Sequence, residues 1–75
     1  MKDLELKRYI KGVCKRNGVK IYIKNIIEVS KVYKRSTVGS FVNYWHTYTA
    51  VLNDKVINFV GDGYSVENFE VKEVK

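Results

Sequence analysis

The spacing of apolar residues changes once along the chain, at Asn17-Gly18, and this change limits the folds open to it. Before the pair, apolar residues recur three or four positions apart, which is the spacing of one helix face. They are Leu6, Tyr9, Ile10, Val13 and Cys14. After the pair, apolar and polar residues alternate, as in strands buried on one face. The sequence therefore predicts an α+β fold in which a helix over residues 3–16 precedes an antiparallel sheet.

The same Asn-Gly pair is also the strongest short signal for a hairpin. A turn there would fold residues 9–16 onto 19–25 and make the protein all-β. That register places Lys15 opposite Lys20 and Lys11 opposite Lys24. Like charges directly opposite each other destabilise a ladder. We therefore favour the helix and keep an all-β fold, with a hairpin over residues 9–25, as the alternative.

The first strand is predicted to begin at Val19 and to continue through Tyr33. Its apolar parity slips by one residue on the way, so we expect a bulge or bend near Asn25 or near Ser30-Lys31. The inward residues would be Val19, Ile21, Ile23, Ile27 and Val29. The outward residues would be Lys20, Tyr22, Lys24 and Glu28.

Two more strands follow a predicted polar turn over residues 35–40. Residues 41–52 and 56–60 form a hairpin about Asn53-Asp54, in which Ala50 opposes Ile57 and Tyr48 opposes Phe59. The inner face of the longer strand would hold Val42, Tyr44, Tyr48 and Ala50.

A last strand over residues 69–74 would turn Phe69 and Val71 inward. A helix with four or five such strands predicts a curled sheet or small barrel, and the nearest architectures are SH3-like and OB-like.

Length and composition bound the class of protein. A chain of 75 residues has room for a single domain, residues 1–75, and its 45% hydrophobic content excludes disorder as the main interpretation. The sequence lacks both an apolar run of roughly 18 residues and a signal-peptide hydrophobic region, so we expect a cytoplasmic protein with no membrane partner. One cysteine excludes an internal disulfide and a site made of several thiolates.

Catalytic and metal-binding patterns are not recognisable in this sequence. His46 is the only histidine, and no metal-ligand or catalytic spacing surrounds it. We interpret it as a partly buried core residue, with a ligand contact as the alternative. Cys14 lies on the apolar helix stripe, where packing is its expected role. The sequence thus predicts a protein that is not an enzyme and that carries no cofactor or metal.

Charge is unevenly distributed along the chain. Residues 1–35 hold eight lysines and three arginines against three acids, which gives 11 − 3 = +8, and residues 36–75 hold three lysines against five acids, which gives 3 − 5 = −2. Basic side chains bind phosphates, and exposed aromatic rings stack on bases. The predicted site combines both kinds of residue on the helix and on the first two strands: Lys7, Arg8, Lys11, Lys15, Lys20, Tyr22, Lys24, Lys31, Lys34, Arg35 and Trp45.

We therefore hypothesise a non-enzymatic binding protein whose basic half engages a polyanion, with nucleic acid as the favoured partner. The alternative is a phage-type accessory or counter-defence protein that inhibits a host protein with an acidic surface or sequesters a phosphorylated nucleotide signal. A structural subunit of a larger assembly is a third hypothesis. Apolar residues on the outer parity of the hairpin also make a homo-oligomer possible.

Overall fold

The computed structural model describes residues 2–62 and 65–74. It contains one helix, a short 3-10 turn and four strands: α1 (Lys2–Arg16), the turn Ile23–Asn25, β1 (Ile26–Val38), β2 (Phe41–Leu52), β3 (Lys55–Gly61) and β4 (Val66–Glu73). The α+β class and the N-terminal helix are confirmed. The alternative hairpin over residues 9–25 is wrong.

The helix ends at the Asn-Gly pair because the chain satisfies its last carbonyls there. The Asn17 side-chain amide donates to the Val13 carbonyl at 2.8 Å, and the Val19 amide donates to the Cys14 carbonyl at 2.8 Å. Gly18 has a φ of 78°, the left-handed conformation that glycine adopts without strain. The pair therefore works as a helix cap.

The four strands form one antiparallel sheet in chain order, β1-β2-β3-β4. Within the described residues β1 and β4 are its two edges, so the sheet is open. The predicted SH3-like or OB-like barrel is not confirmed. Two residues separate β1 from β2 and two separate β2 from β3, the short connections that antiparallel neighbours allow.

The first strand begins later than predicted. Residues 19–25 are not a strand, because a turn and the 3-10 segment precede β1. A register shift between Ile26 and Glu28 places the bulge close to Asn25, one of the two predicted positions. Ile27 is 62% exposed, so its inward placement is wrong. Ile21 is buried, whereas Val19, Ile23 and Val29 are half-buried.

The central hairpin has the predicted register, with Ala50 opposite Ile57 and Tyr48 opposite Phe59. Tyr48 and Ala50 are buried as expected. Tyr44 is 53% exposed, so its assignment to the core is wrong. The side chain of Val42 lies outside the described part of the structure.

The last strand begins at Val66, three residues before its predicted start. The pairing of β3 with β4 shifts by one residue between Asn58 and Val60. The extra residue is on β4, where Asn68 has a φ of 56° and forms a bulge. Phe69 is half-buried and packs against the core, as predicted. Val71 lies opposite Ile57 but is 37% exposed, so it is at the margin of the core.

The hydrophobic core lies between α1 and one face of the sheet. Its buried residues are Ile10, Val13, Cys14, Ile21, Ile26, Tyr48, Ala50, Leu52, Ile57 and Phe59. Rings of Tyr9, Tyr48 and Phe59 pack together, with the last two stacked at 4.8 Å between centroids. Cys14 is fully buried, which confirms its predicted packing role. We call the covered surface the helix-side face of the sheet and the opposite surface the outer face.

Candidate nucleic-acid interface

Strands β1 and β2 extend beyond the paired ends of β3 and β4. The pairing of β2 with β3 ends at His46 and Gly61, whereas β1 and β2 remain paired as far as Val38 and Phe41. A strand of 13 residues spans about 43 Å and a helix of 15 residues about 22 Å, so α1 is too short to cover it. We call residues 33–46 the arm.

The arm closes through a two-residue turn at Gly39-Ser40, where Gly39 has a φ of 61°. The predicted polar turn over residues 35–40 is therefore too long, because the turn itself covers only Gly39 and Ser40. Its first residues continue the ladder, because Arg35 pairs with Tyr44 and Val38 with Phe41. The glycine supplies the left-handed backbone that tight hairpins need.

An aromatic cluster with one cation occupies the helix-side face of the arm. Arg35 lies opposite Tyr44, and Tyr33 lies opposite His46. The Tyr33 ring is 6.0 Å from the Tyr44 ring and 5.5 Å from the His46 ring, measured between centroids. Tyr33 and Tyr44 are each 53% exposed. This face therefore presents two accessible rings beside an exposed guanidinium.

Trp45 lies on the outer face of the arm. Lys34 is its cross-strand partner, so these two predicted site residues are brought together. Successive strand residues point to opposite sides, which separates them from Arg35 and Tyr44. Trp45 is half-buried and borders an open cleft of about 390 Å³ with Val60. The arm thus carries a cation and an aromatic residue on each of its faces.

A second basic surface lies where the helix ends. Lys11, Lys15 and Lys20 line an open cleft of about 370 Å³. The Tyr22 ring lies next to it, with the Lys20 ammonium 5.5 Å and the Lys24 ammonium 6.0 Å from its centroid. We call these five residues the basic cleft. Their predicted exposure is right, although residues 20–24 do not form a strand.

The arm and the basic cleft lie at opposite ends of β2. Tyr22 adjoins Leu52 and Asn53 at the β2–β3 turn, whereas the arm is at the start of β2. The longest dimension of the molecule is 43 Å. The structure therefore divides the single predicted surface into two.

Three remaining predicted site residues lie near the middle of the molecule. Lys7 is half-buried on α1 and Arg8 is exposed. The Lys31 ammonium lies 5.8 Å from the Tyr48 ring centroid, in a cleft that Asp3 and Glu5 also line. These carboxylates offset part of the positive charge of Lys31, which makes it the weaker phosphate ligand.

The arm itself carries no acid, although Asp62 and Glu67 line the open cleft that Tyr44 and Trp45 border. Residues 29–53 contain no aspartate or glutamate. Five acids lie on or beside β3 and β4: Asp54, Asp62, Glu67, Glu70 and Glu73. Glu70 forms an exposed ion pair with Lys72 at 3.3 Å. The open sheet therefore has a predominantly basic edge at β1 and a predominantly acidic edge at β4.

His46 and Cys14 both pack against other side chains of the protein. His46 is half-buried at the base of the arm, between the rings of Tyr33 and Tyr48. Burial raises the pKa of the Cys14 thiol from 9.0 to about 11, and the nearby positive charge of Lys55 opposes that rise. Such a thiol is a poor nucleophile at neutral pH. Across the described residues, no three His, Cys, Asp or Glu side chains converge to hold a metal ion.

Sequence reasoning missed Tyr33 and Tyr44 as surface residues. Alternation correctly placed Tyr44 on the helix-side face, but that face is covered only as far as α1 reaches. The available signal was length, since strands of 12 and 13 residues outrun a helix of 15 residues.

Comparison of the chain with protein-family models, curated proteins and solved structures finds no match. In the described part of the chain, no helix is long and apolar enough to cross a membrane.

Proposed function

We propose that the protein is a non-enzymatic, cytoplasmic module that binds nucleic acid through the helix-side face of its arm. The observation that carries this proposal is an acid-free, projecting β-ribbon in which Arg35 lies opposite the exposed ring of Tyr44. The basic cleft is a second contact for the phosphate backbone. Trp45 and Lys34, which face the other way, are not needed for the main contact.

The shape of the arm favours duplex DNA as the partner. A major groove about 12 Å wide admits a two-stranded β-ribbon, so the arm has the size of a groove-binding element. An arginine guanidinium can bind a phosphate or the edge of a guanine with two hydrogen bonds. Exposed tyrosines add stacking on unpaired bases, at about 1–3 kcal/mol per base.

The distribution of charge supports the same orientation. The chain has a formal net charge of +6, and its acids cluster at β4. A field of this kind steers a polyanion toward the basic side and disfavours approach from the acidic edge. Lysines of the basic cleft can then neutralise further phosphates.

A charge-reversal pair tests the arm directly. We expect Arg35→Glu to weaken binding to a short DNA duplex by at least about tenfold, measured by fluorescence anisotropy at low salt. Arg8→Glu is the matched control, because it changes the net charge equally at an exposed position of α1 outside the arm and the basic cleft. Equal losses in the two variants would show a general charge effect and would contradict a contact at the arm.

Tyr44 provides a second variant that leaves charge unchanged. Tyr44→Ala should weaken binding to a single strand, whereas Tyr44→Phe keeps the ring and should bind normally. Neither change should move the melting temperature much, because the side chain is exposed. If wild-type protein binds neither duplex nor single strand at low salt, the proposal fails. Binding of mononucleotides alone would favour sequestration of a phosphorylated signal.

A further inference from the structure

The outer face of the sheet has an uncharged centre that α1 does not cover. Its central residues come from β2 and β3 and are all half-buried: Trp45, Thr47, Thr49, Val51, Val56, Asn58 and Val60. Val32 of β1 continues the patch and is 46% exposed. An apolar surface of this kind, bordered by charges, is typical of an interaction site.

Two polar side chains at the centre of this face are paired with each other. The Thr49 hydroxyl donates to the Asn58 side-chain oxygen at 2.8 Å, across the β2–β3 pair. Covering a polar group costs little when its hydrogen bond is retained. The outer face can therefore be buried without leaving this pair unsatisfied.

The two edges of the outer face carry charges of opposite sign in one row, whereas the rows of Ser30 and Val32 are charged only on β4, by Glu70 and Glu67. One row runs Glu28, Val51, Val56, Lys72 across the four strands, with the acid on β1 and the base on β4. The order of charge is reversed toward the arm.

The row through Thr47 runs from Val32 on β1 to Glu67 on β4. Lys34 lies two residues after Val32 on β1, in the neighbouring row of the same face. Rotation about an axis parallel to the strands exchanges β1 with β4. The face is therefore complementary to a rotated copy of itself.

We infer that this outer face binds a second copy of the chain, through a two-fold axis parallel to the strands. Each β1 edge then lies over the β4 edge of the other copy. Glu28 faces Lys72 of the partner subunit, and Lys34 lies near Glu67 of the partner subunit. The apolar rows of β2 stack on those of β3, as in an aligned β-sandwich.

The direction of the axis follows from the acids of β4. An axis in the sheet plane but perpendicular to the strands would bring Glu67 toward Glu70 of the partner subunit, and like charges there repel. The parallel axis avoids this contact. The resulting interface uses the same surface on both copies and closes on itself, so a dimer forms and not a filament.

The inference does not rest on the proposed function, because strand alternation places Arg35 and Tyr44 on the face opposite the interface, although Tyr44 borders the cleft at its edge. In the dimer both helices lie outside and both arms point the same way. The faces with Arg35 and Tyr44 remain exposed. The ion pair between Lys72 and Glu70 competes only weakly with the contact to Glu28 of the partner subunit, because exposed ion pairs contribute little free energy.

Trp45 gives the dimer its own optical signal. It is the one tryptophan of the chain and lies on the outer face. Sedimentation equilibrium of the nucleic-acid-free protein should show a dimer, and Trp45 emission should shift to shorter wavelength as the dimer forms with rising concentration. Thr47→Arg places a charge at the centre of the interface. We expect it to weaken dimerisation at least about tenfold and to abolish the concentration-dependent shift.

Charge reversal with rescue tests the geometry. Glu28→Lys and Lys72→Glu should each weaken the dimer by about tenfold, because every reversal acts twice in a symmetric interface. The double variant Glu28→Lys/Lys72→Glu restores opposite signs and should dimerise nearly as wild type. Glu73→Lys is the control, because it makes the same charge change on the helix-side parity of β4, opposite Lys55.

Two results would overturn the inference. One is a chain that remains monomeric up to its solubility limit. The other is a dimer whose dissociation constant does not respond to Thr47→Arg or to the two reversals, since such a dimer must use another surface. Both results are independent of nucleic-acid binding, which the Arg35→Glu variant tests separately.

Discussion

Cys14 shows how burial sets the chemistry of a single residue. Its side chain is fully buried beneath the helix, and desolvation raises its thiol pKa to about 11. The Tyr48 hydroxyl responds in the same direction, because burial and the adjacent Tyr9 raise its pKa. Both groups are uncharged when protonated, so the folded protein holds these protons more tightly than the unfolded chain does.

Stability should therefore fall at alkaline pH. The contribution of Cys14 is fully present below about pH 9 and is lost as pH rises through the folded-state pKa of about 11, for a total of about 3 kcal/mol. Urea unfolding across this range measures it, with Cys14→Ala as the comparison. The variant should be less stable near neutral pH but lose less stability as pH rises. An identical alkaline slope in both proteins, or fast labelling of native Cys14 by a thiol reagent, would contradict the burial.

At the scale of elements, the start of β1 determines which isoleucines support the fold. Ile21 precedes the 3-10 turn and is 2% exposed, whereas Ile27 lies at the bulge and is 62% exposed. A regular strand from Val19 would have turned both side chains inward. At the bulge Ile26 takes the inward place opposite Leu52 and Ile27 is left facing solvent, because the bulged strand has one residue more than its partner there.

Two matched truncations measure this difference. Ile21→Ala should cost about 2–5 kcal/mol of unfolding free energy, because it leaves a cavity in the core. Ile27→Ala removes the same atoms from an exposed position and should cost about 0.5 kcal/mol or less. Chemical denaturation of the two variants provides the values. Similar losses would indicate that β1 begins at Val19 without a bulge.

At the scale of the whole molecule, two basic surfaces lie at opposite ends of a body 43 Å long. If both contact one nucleic acid, their phosphate contacts should add. The logarithm of affinity for duplex DNA should fall linearly with the logarithm of salt concentration, with a slope of about 0.9 per phosphate contact.

Arg35→Glu in the arm and Lys20→Glu in the basic cleft should each reduce this slope by about one, and by about two when combined. Titrations at several salt concentrations provide the slopes. An unchanged slope for Lys20→Glu would limit the interface to the arm.

The sequence by itself determined those features that neighbouring residues control. The stripe from Leu6 to Cys14 and the cap at Asn17-Gly18 determined α1, because apolar spacing and backbone freedom act over one or two turns. The Asn53-Asp54 turn determined the β2–β3 register, since a two-residue turn leaves one pairing for the strands it joins. Lys20, Tyr22 and Lys24 are exposed as alternation predicted, although no strand forms there.

Only the tertiary structure decided which faces are covered and which charges are neighbours. Alternation assigns Tyr44 to a face, but its exposure depends on whether α1 extends over it. Tyr22 and Trp45 were both predicted to face outward from a strand. In the structure Trp45 lies near the start of β2, whereas Tyr22 adjoins the end of β2. The open edges and the uncovered outer face follow from where the helix packs. Burial depends on contacts between distant parts of the chain, and the pattern within one element does not specify those contacts.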